Sequence, residues 1–176
     1  MKPTLVDIHT VNPRIRVELL YATPNNFTGQ IVYNFTRCFV VQPVALGLDA
    51  VQRALERIGL GLKIWDGYRP IAAQWKFWEI MPDERYVSDP RKGGRHTRGT
   101  AVDVTLVDAG GSELVMPTGF DDFSALAHRD SPDASPEAIR NRERLRAVME
   151  GHGFVGIESE WWHYDWEGWE KFPLID

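Results

Sequence analysis

The sequence predicts an α+β domain. Three stretches carry helical spacing, and short β-branched segments fall irregularly between them. That irregular alternation favours α+β over a doubly wound parallel sheet. With 176 residues, 43% hydrophobic and 26% charged, the chain can bury its own core, so one domain over residues 1–176 is expected.

The elements follow in order. "TLVDIHTV" and "IRVELLYAT" read as short extended segments, and "PNNFTGQ" as a loop. From Pro43 to Ile58 the apolar residues Val44, Leu48, Val51, Leu55 and Ile58 keep helical spacing, with Gly59 as the stop. "LGLKIWDGYRP" reads as a strand entering a turn, because Pro70 disfavours helix at Arg69. "IAAQWKFWEIM" is helical, residues 82–95 form a polar loop, and "TAVDVTLVD" is a strand ending in the turn "AGGSEL". Residues 116–136 are mostly irregular. Ser135, Pro136 and Glu137 then start a helix that runs to Glu150 and stops at Gly151. The aromatic "GFVGIESEWWHYDW" closes the domain as β-rich chain.

Composition excludes several functions. A net charge of −5 lacks the basic footprint of a nucleic-acid binder. Cys38 is the only cysteine, which rules out an intrachain disulfide and a cysteine-built zinc site. No apolar run approaches the roughly 20 residues of a membrane span. The N-terminal residues lack an apolar signal-peptide core, so a cytoplasmic location is expected.

Three stretches carry chemistry. In "GGRHTRGTAVDVTL" an extended strand puts Ala101, Asp103 and Thr105 on one face and Val102, Val104 and Leu106 on the other. The apolar face is taken as the core face, with Asp103 pointing away from it. His96 converges on Asp103 only if Gly99 turns the chain. Alone, the pair is better described as a surface histidine and a capping carboxylate. In "SEWWHYDW", His163 supplies a third ligand: two imidazoles and a carboxylate suit a catalytic zinc that keeps one position open. Glu160 is placed to take a proton from water there, provided a bend brings it onto the face of His163. The same stretch also fits plain core, with Trp161 and Trp162 packed inside. In "WDGYRP", Arg69 offers a planar fork to a developing oxyanion, or equally forms a structural ion pair. His9, His128 and His152 lie outside these stretches and read as surface or capping groups. The arginines of the 136–150 helix read as solvated surface.

Taken together, "YATPNNFTG", "WDGYRP", "RHTRGTAVDVTL", "MPTGFDDFS" and "EWWHY" resemble the zinc D-alanyl-D-alanine dipeptidases of the VanX type, in that order along nearly the whole chain. The resemblance implies a small central antiparallel sheet flanked by helices, shared with other zinc DD-peptidases and the hedgehog signalling domain. It implies one zinc ion per chain on His96, Asp103 and His163, Glu160 as general base and acid, and Arg69 as stabiliser of the tetrahedral transition state. Tyr21 and Asp121 match positions near the pocket for the substrate's amino group. The expected substrate is a small dipeptide, D-alanyl-D-alanine, with neither nucleic acid nor membrane as partner. Gly94 stands where the family pattern has serine, and the 82–95 loop is shorter than in the resistance enzymes. Both features leave room for a DD- or LD-carboxypeptidase acting on longer cell-wall peptides. A zinc-binding module without catalysis is the remaining alternative.

Overall fold

The structure is a computed structural model describing residues 3–175. Its first strand is cut short by its own sequence. Leu5–Asp7 forms β1, and the Asp7 carboxylate accepts the His9 amide at 3.0 Å, capping the one-turn helix α1 (Ile8–Val11). The expected extended segment is therefore half helix. The next is also shorter than expected: β2 is only Arg16–Val17, and a 3-10 turn at Leu20–Ala22 carries Tyr21 inward.

Strand β3 (Phe39–Val41) pairs antiparallel with β1 and leads into α2 (Gln42–Glu56). Pro43 sits in the first turn of α2, where its missing amide costs nothing. Val44, Leu48, Val51 and Leu55 are buried as the spacing predicts, whereas Ile58 lies beyond the helix end and is exposed. Gly59 follows at φ +75°, ending the element where expected. Next come β4 (Leu60–Asp66), α3 (Ile71–Ile80), the polar loop and β5 (Ala101–Asp108). Ser135 caps α4 (Pro136–Glu150) by accepting the Ala138 amide at 3.2 Å. Strands β6 (Phe154–Gly156) and β7 (His163–Trp166) complete the chain.

The main sheet has the order β2-β4-β5-β7-β6. Three of its pairings are antiparallel, but β2 lies parallel to β4, pairing Arg16 with Lys63. The sheet is thus antiparallel at its centre and mixed at one edge.

Strand β5 departs from the half-buried strand expected. Residues 101–107 are all buried, on both faces. One face sets Val102, Val104 and Leu106 into the core with Leu62, Ile64 and Leu145. The other face is closed over by the polar site and by an aromatic cluster of Trp65, Phe120, Trp161 and Trp162, whose ring centroids lie 5.1–5.8 Å apart. Each fully buried apolar side chain contributes roughly 1.5–3 kcal/mol. Asp103 therefore projects into a closed, low-dielectric space instead of solvent. Helix α4 differs similarly: Arg142 on its supposed solvated side is buried and donates to the Ser131 carbonyl at 2.8 Å.

Candidate active site

Gly99 sets the geometry. It lies at φ +69° and ψ +22°, closing the 3-10 turn His96–Arg98 immediately before β5. That turn brings His96 Nε2 to 3.4 Å from Asp103 Oδ1. Register does the rest, because Asp103 on β5 stands directly opposite His163 on β7. His163 Nδ1 lies 3.0 Å from Asp103 Oδ1 and 3.3 Å from His96 Nε2. All three residues are buried. Among the described residues, they are the group of three or more His, Cys, Asp or Glu side chains placed to hold a metal ion.

Three acceptor atoms 3.0–3.4 Å apart fit a tetrahedral zinc site closely. Ligand bonds of about 2.0–2.2 Å in that geometry separate neighbouring ligand atoms by about 3.3–3.6 Å. The outer ring nitrogens agree. His96 Nδ1 donates to the Gly67 carbonyl at 2.8 Å, which leaves the lone pair of Nε2 facing inward. His163 Nε2 lies 2.7 Å from Asp165 Oδ1, leaving Nδ1 to face inward. The residues present fit a divalent zinc ion.

Electrostatics tell the same story. Burial alone would raise the Asp103 carboxyl, but the imidazoles of His96 and His163 outweigh it and hold the group below the usual carboxylate range. Burial would lower His163, and the carboxylates of Asp165 and Asp103 draw it well above its ordinary value instead.

Glu160 ends the bend that precedes β7, outside the strand's alternation, so it reaches the same cleft as His163. Its Oε2 lies 3.8 Å from His163 Nδ1. Burial pushes its carboxyl up to about 8, with His163 opposing. A carboxyl tuned near neutrality suits proton transfer in both directions.

Arg69 forms the structural ion pair that is one of its two readings. Its Nε and Nη2 donate to Asp66 Oδ2 at 3.1 and 2.7 Å, and its Nη1 donates to Gln74 Oε1 at 2.9 Å. Burial disfavours the cation, but Asp66 keeps it firmly charged. The guanidinium lies over the rings of Phe77 and Tyr21, at 4.8 and 5.5 Å from their centroids. These three N–H groups hold it in place, and its Nη2 also lies 3.8 Å from Asp103 Oδ2, on the edge of the cleft it lines.

Tyr21 and Asp121, a hundred residues apart, meet in the same cleft. The Tyr21 hydroxyl donates to Asp121 Oδ2 at 2.5 Å. Asp121 has a φ of +58°, a position that costs strain for a residue with a side chain. Burial pushes its carboxyl up to about 7 against the Tyr21 hydrogen bond. Gly94 also lines the cleft and needs no glycine for packing: a Cβ there would touch Ser88 at 3.5 Å, an ordinary contact.

The structure thus gathers every residue named from the sequence. It adds three that sequence reasoning missed: Asp66, Gln74 and Asp165. Asp66 and Asp165 did carry a signal, each being an acid within three residues of a functional side chain in a quoted stretch.

Comparison with known proteins agrees with this geometry. Residues 1–170 match the family model described as D-ala-D-ala dipeptidase. The chain belongs to this family. It is 41% identical over 171 residues to the D-alanyl-D-alanine dipeptidase of Escherichia coli, covering 97% of this chain and 89% of the relative. It is 35% identical over 174 residues to that of Streptomyces coelicolor, with 85% of each chain covered. Against that of Enterococcus faecalis it is 33% identical over 171 residues, again covering 85% of each. Two solved structures share the fold of this family member. The LD-carboxypeptidase LdcB superposes with a TM-score of 0.56 at 15% identity, covering 97% of this chain and 71% of the other. VanYB in complex with D-alanine-D-alanine gives 0.50 at 17% identity, covering 76% and 74%.

Proposed function

We propose that the protein is a zinc-dependent dipeptidase that hydrolyses D-alanyl-D-alanine or closely related D-amino-acid dipeptides. The observation that carries this is the triangle of His96 Nε2, Asp103 Oδ1 and His163 Nδ1 in one cleft with Glu160, Arg69 and the Tyr21–Asp121 pair. Family membership and relatives named D-alanyl-D-alanine dipeptidase support the substrate.

His96, Asp103 and His163 would hold one zinc ion per chain, which when bound lowers the pKa of water to about 7 and polarises a carbonyl. Glu160 takes the proton of the attacking water and returns it to the leaving amine. Arg69, anchored on Asp66 and Gln74, brings its guanidinium charge to the oxyanion that develops on the scissile carbonyl. Asp121, oriented by Tyr21, receives the free ammonium of the substrate and so measures its length from the N-terminal end. That arrangement favours dipeptides over longer cell-wall chains, whose amino end would not reach it.

The test is a panel of D-Ala-D-Ala, L-Ala-L-Ala, D-Ala-D-lactate and a longer muropeptide, each with and without a chelator. The proposal expects hydrolysis of D-Ala-D-Ala that is lost with chelator and restored by zinc. Faster cleavage of the muropeptide than of the dipeptide would overturn it.

A further inference from the structure

The two imidazoles of the metal triangle are backed differently. His96 Nδ1 donates at 2.8 Å to the carbonyl of Gly67, a neutral acceptor fixed in the backbone, and the carboxylate oxygen Asp66 Oδ2 lies outside hydrogen-bond distance at 3.7 Å. His163 rests on Asp165, a buried carboxylate, through a 2.7 Å contact from Nε2 to Oδ1. The arrangement follows from strand geometry. Residues two apart on β7 share a face, so Asp165 projects beside His163, and the register sets it opposite Ala101 on β5. Ala101 is the one position of that face whose side chain is small enough to leave the carboxylate its space. Asp165 in turn faces Arg95, whose Nε lies 3.4 Å from Oδ2 and whose guanidinium lies over the ring of Trp169 at 4.6 Å.

We propose that Asp165 is the positioning residue of the metal centre: by accepting the Nε2 proton of His163, it fixes the imidazole in the tautomer and orientation that turn Nδ1 toward His96 Nε2 and Asp103 Oδ1. The inference rests on the zinc reading above and deepens it. A carboxylate acceptor also makes the opposite nitrogen a stronger donor to a metal than a carbonyl acceptor does. His163 is thus the ligand whose strength the protein adjusts, while His96 is held by main chain that no side-chain substitution removes. Arg95, clamped on Trp169, keeps the second oxygen of Asp165 turned away from the ring.

The experiment measures zinc affinity by competition with a chromophoric chelator, at a temperature where circular dichroism shows each apoprotein folded. Wild type, Asp165→Ala and Asp165→Asn are compared, and the visible spectrum of each cobalt-substituted form is recorded. Loss of the carboxylate is expected to weaken zinc about 10- to 100-fold. Asp165→Asn keeps an acceptor of nearly the same shape without the charge and should fall between the other two, with an altered cobalt spectrum. If Asp165→Ala does not fold, the Asn variant alone decides. Zinc affinity within threefold of wild type, in the Ala variant or in the Asn variant standing alone, would overturn the assignment. Failure of wild type itself to bind zinc would instead remove the metal reading on which the inference rests.

Discussion

Asp103 and His163 face each other across β5 and β7, and their side chains approach to 3.0 Å only because these strands pair in this register. A slip of one residue would turn every side chain of β7 to the other face of the sheet. The metal triangle is therefore a property of the sheet, completed by one turn at Gly99. Predictions follow from both.

The turn itself can be tested. Gly99 lies at φ +69°, and a Cβ there would come within 2.7 Å of Leu5 Cδ2 and 3.3 Å of the Val41 amide nitrogen. Gly99→Ala is expected to destabilise the fold by more than about 1 kcal/mol and to weaken zinc binding through displacement of His96. Thermal unfolding with and without zinc separates the two effects. A variant as stable and as tightly zinc-bound as wild type would refute the role given to this turn.

Glu160→Ala removes the group that moves the proton but none of the three ligand atoms. Its zinc content should equal that of wild type, while kcat falls by a factor of about 10² to 10⁴. Metal analysis beside steady-state kinetics checks it, and near-normal turnover in the zinc-loaded variant contradicts the assignment.

Arg69 is anchored on Asp66 as well as proposed to act on the oxyanion, so its two substitutions should differ. Arg69→Ala leaves the buried Asp66 carboxylate without its cation and is expected to cost about 3–5 kcal/mol of stability. Arg69→Lys keeps a charge near Asp66 but loses the planar fork, so it should fold and lose activity chiefly in kcat. A Lys variant changed in KM alone would make Arg69 a binding group.

The Asp121 carboxyl, raised to about 7, gives a pH dependence whose sign is fixed. The group is neutral below that value and ionised above it. Its preference for the protonated form favours folding at low pH, and that contribution fades as pH climbs from the unfolded value of about 3.9 through 7. Binding of a substrate ammonium needs the ionised form, so KM for D-Ala-D-Ala should rise as pH falls below about 7. Asp121→Asn should have a high KM with that dependence flattened. KM measured across pH 5.5 to 8.5 for both proteins decides the matter.

The Gly94→Ser substitution is predicted to leave the fold and zinc affinity unchanged, since a Cβ there has Ser88 and Thr97 as its nearest neighbours, at ordinary contact distances of 3.5–3.7 Å. Any effect should appear in selectivity between dipeptides, read as a ratio of kcat/KM values. A large loss of stability would show the position to be tighter than its geometry indicates.

Much of the chain's local grammar was legible, although the segments at 4–11 and 15–23 are only partly extended. The helical spacing in α2 and α4, the Ser135 cap and the stop at Gly59 rest on neighbours within a few residues, whereas His96, Asp103, Glu160, His163 and Arg69 are singled out together only by the resemblance of five ordered motifs. Caps and glycine-dependent turns are written locally, and so they are readable without a fold. What lay beyond the sequence depended on distant packing. It did not show that both faces of β5 are buried, because Asp103 is enclosed by Tyr21, Arg69, His96, Asp121, Glu160 and His163, drawn from distant parts of the chain. Nor did it show that Asp66 and Gln74 fix Arg69, that Asp165 backs His163, or that β2 runs parallel to β4. A residue's type sets what it can do. Register and burial, which join positions 60 to 100 residues apart in this site, decided which partners make it do so.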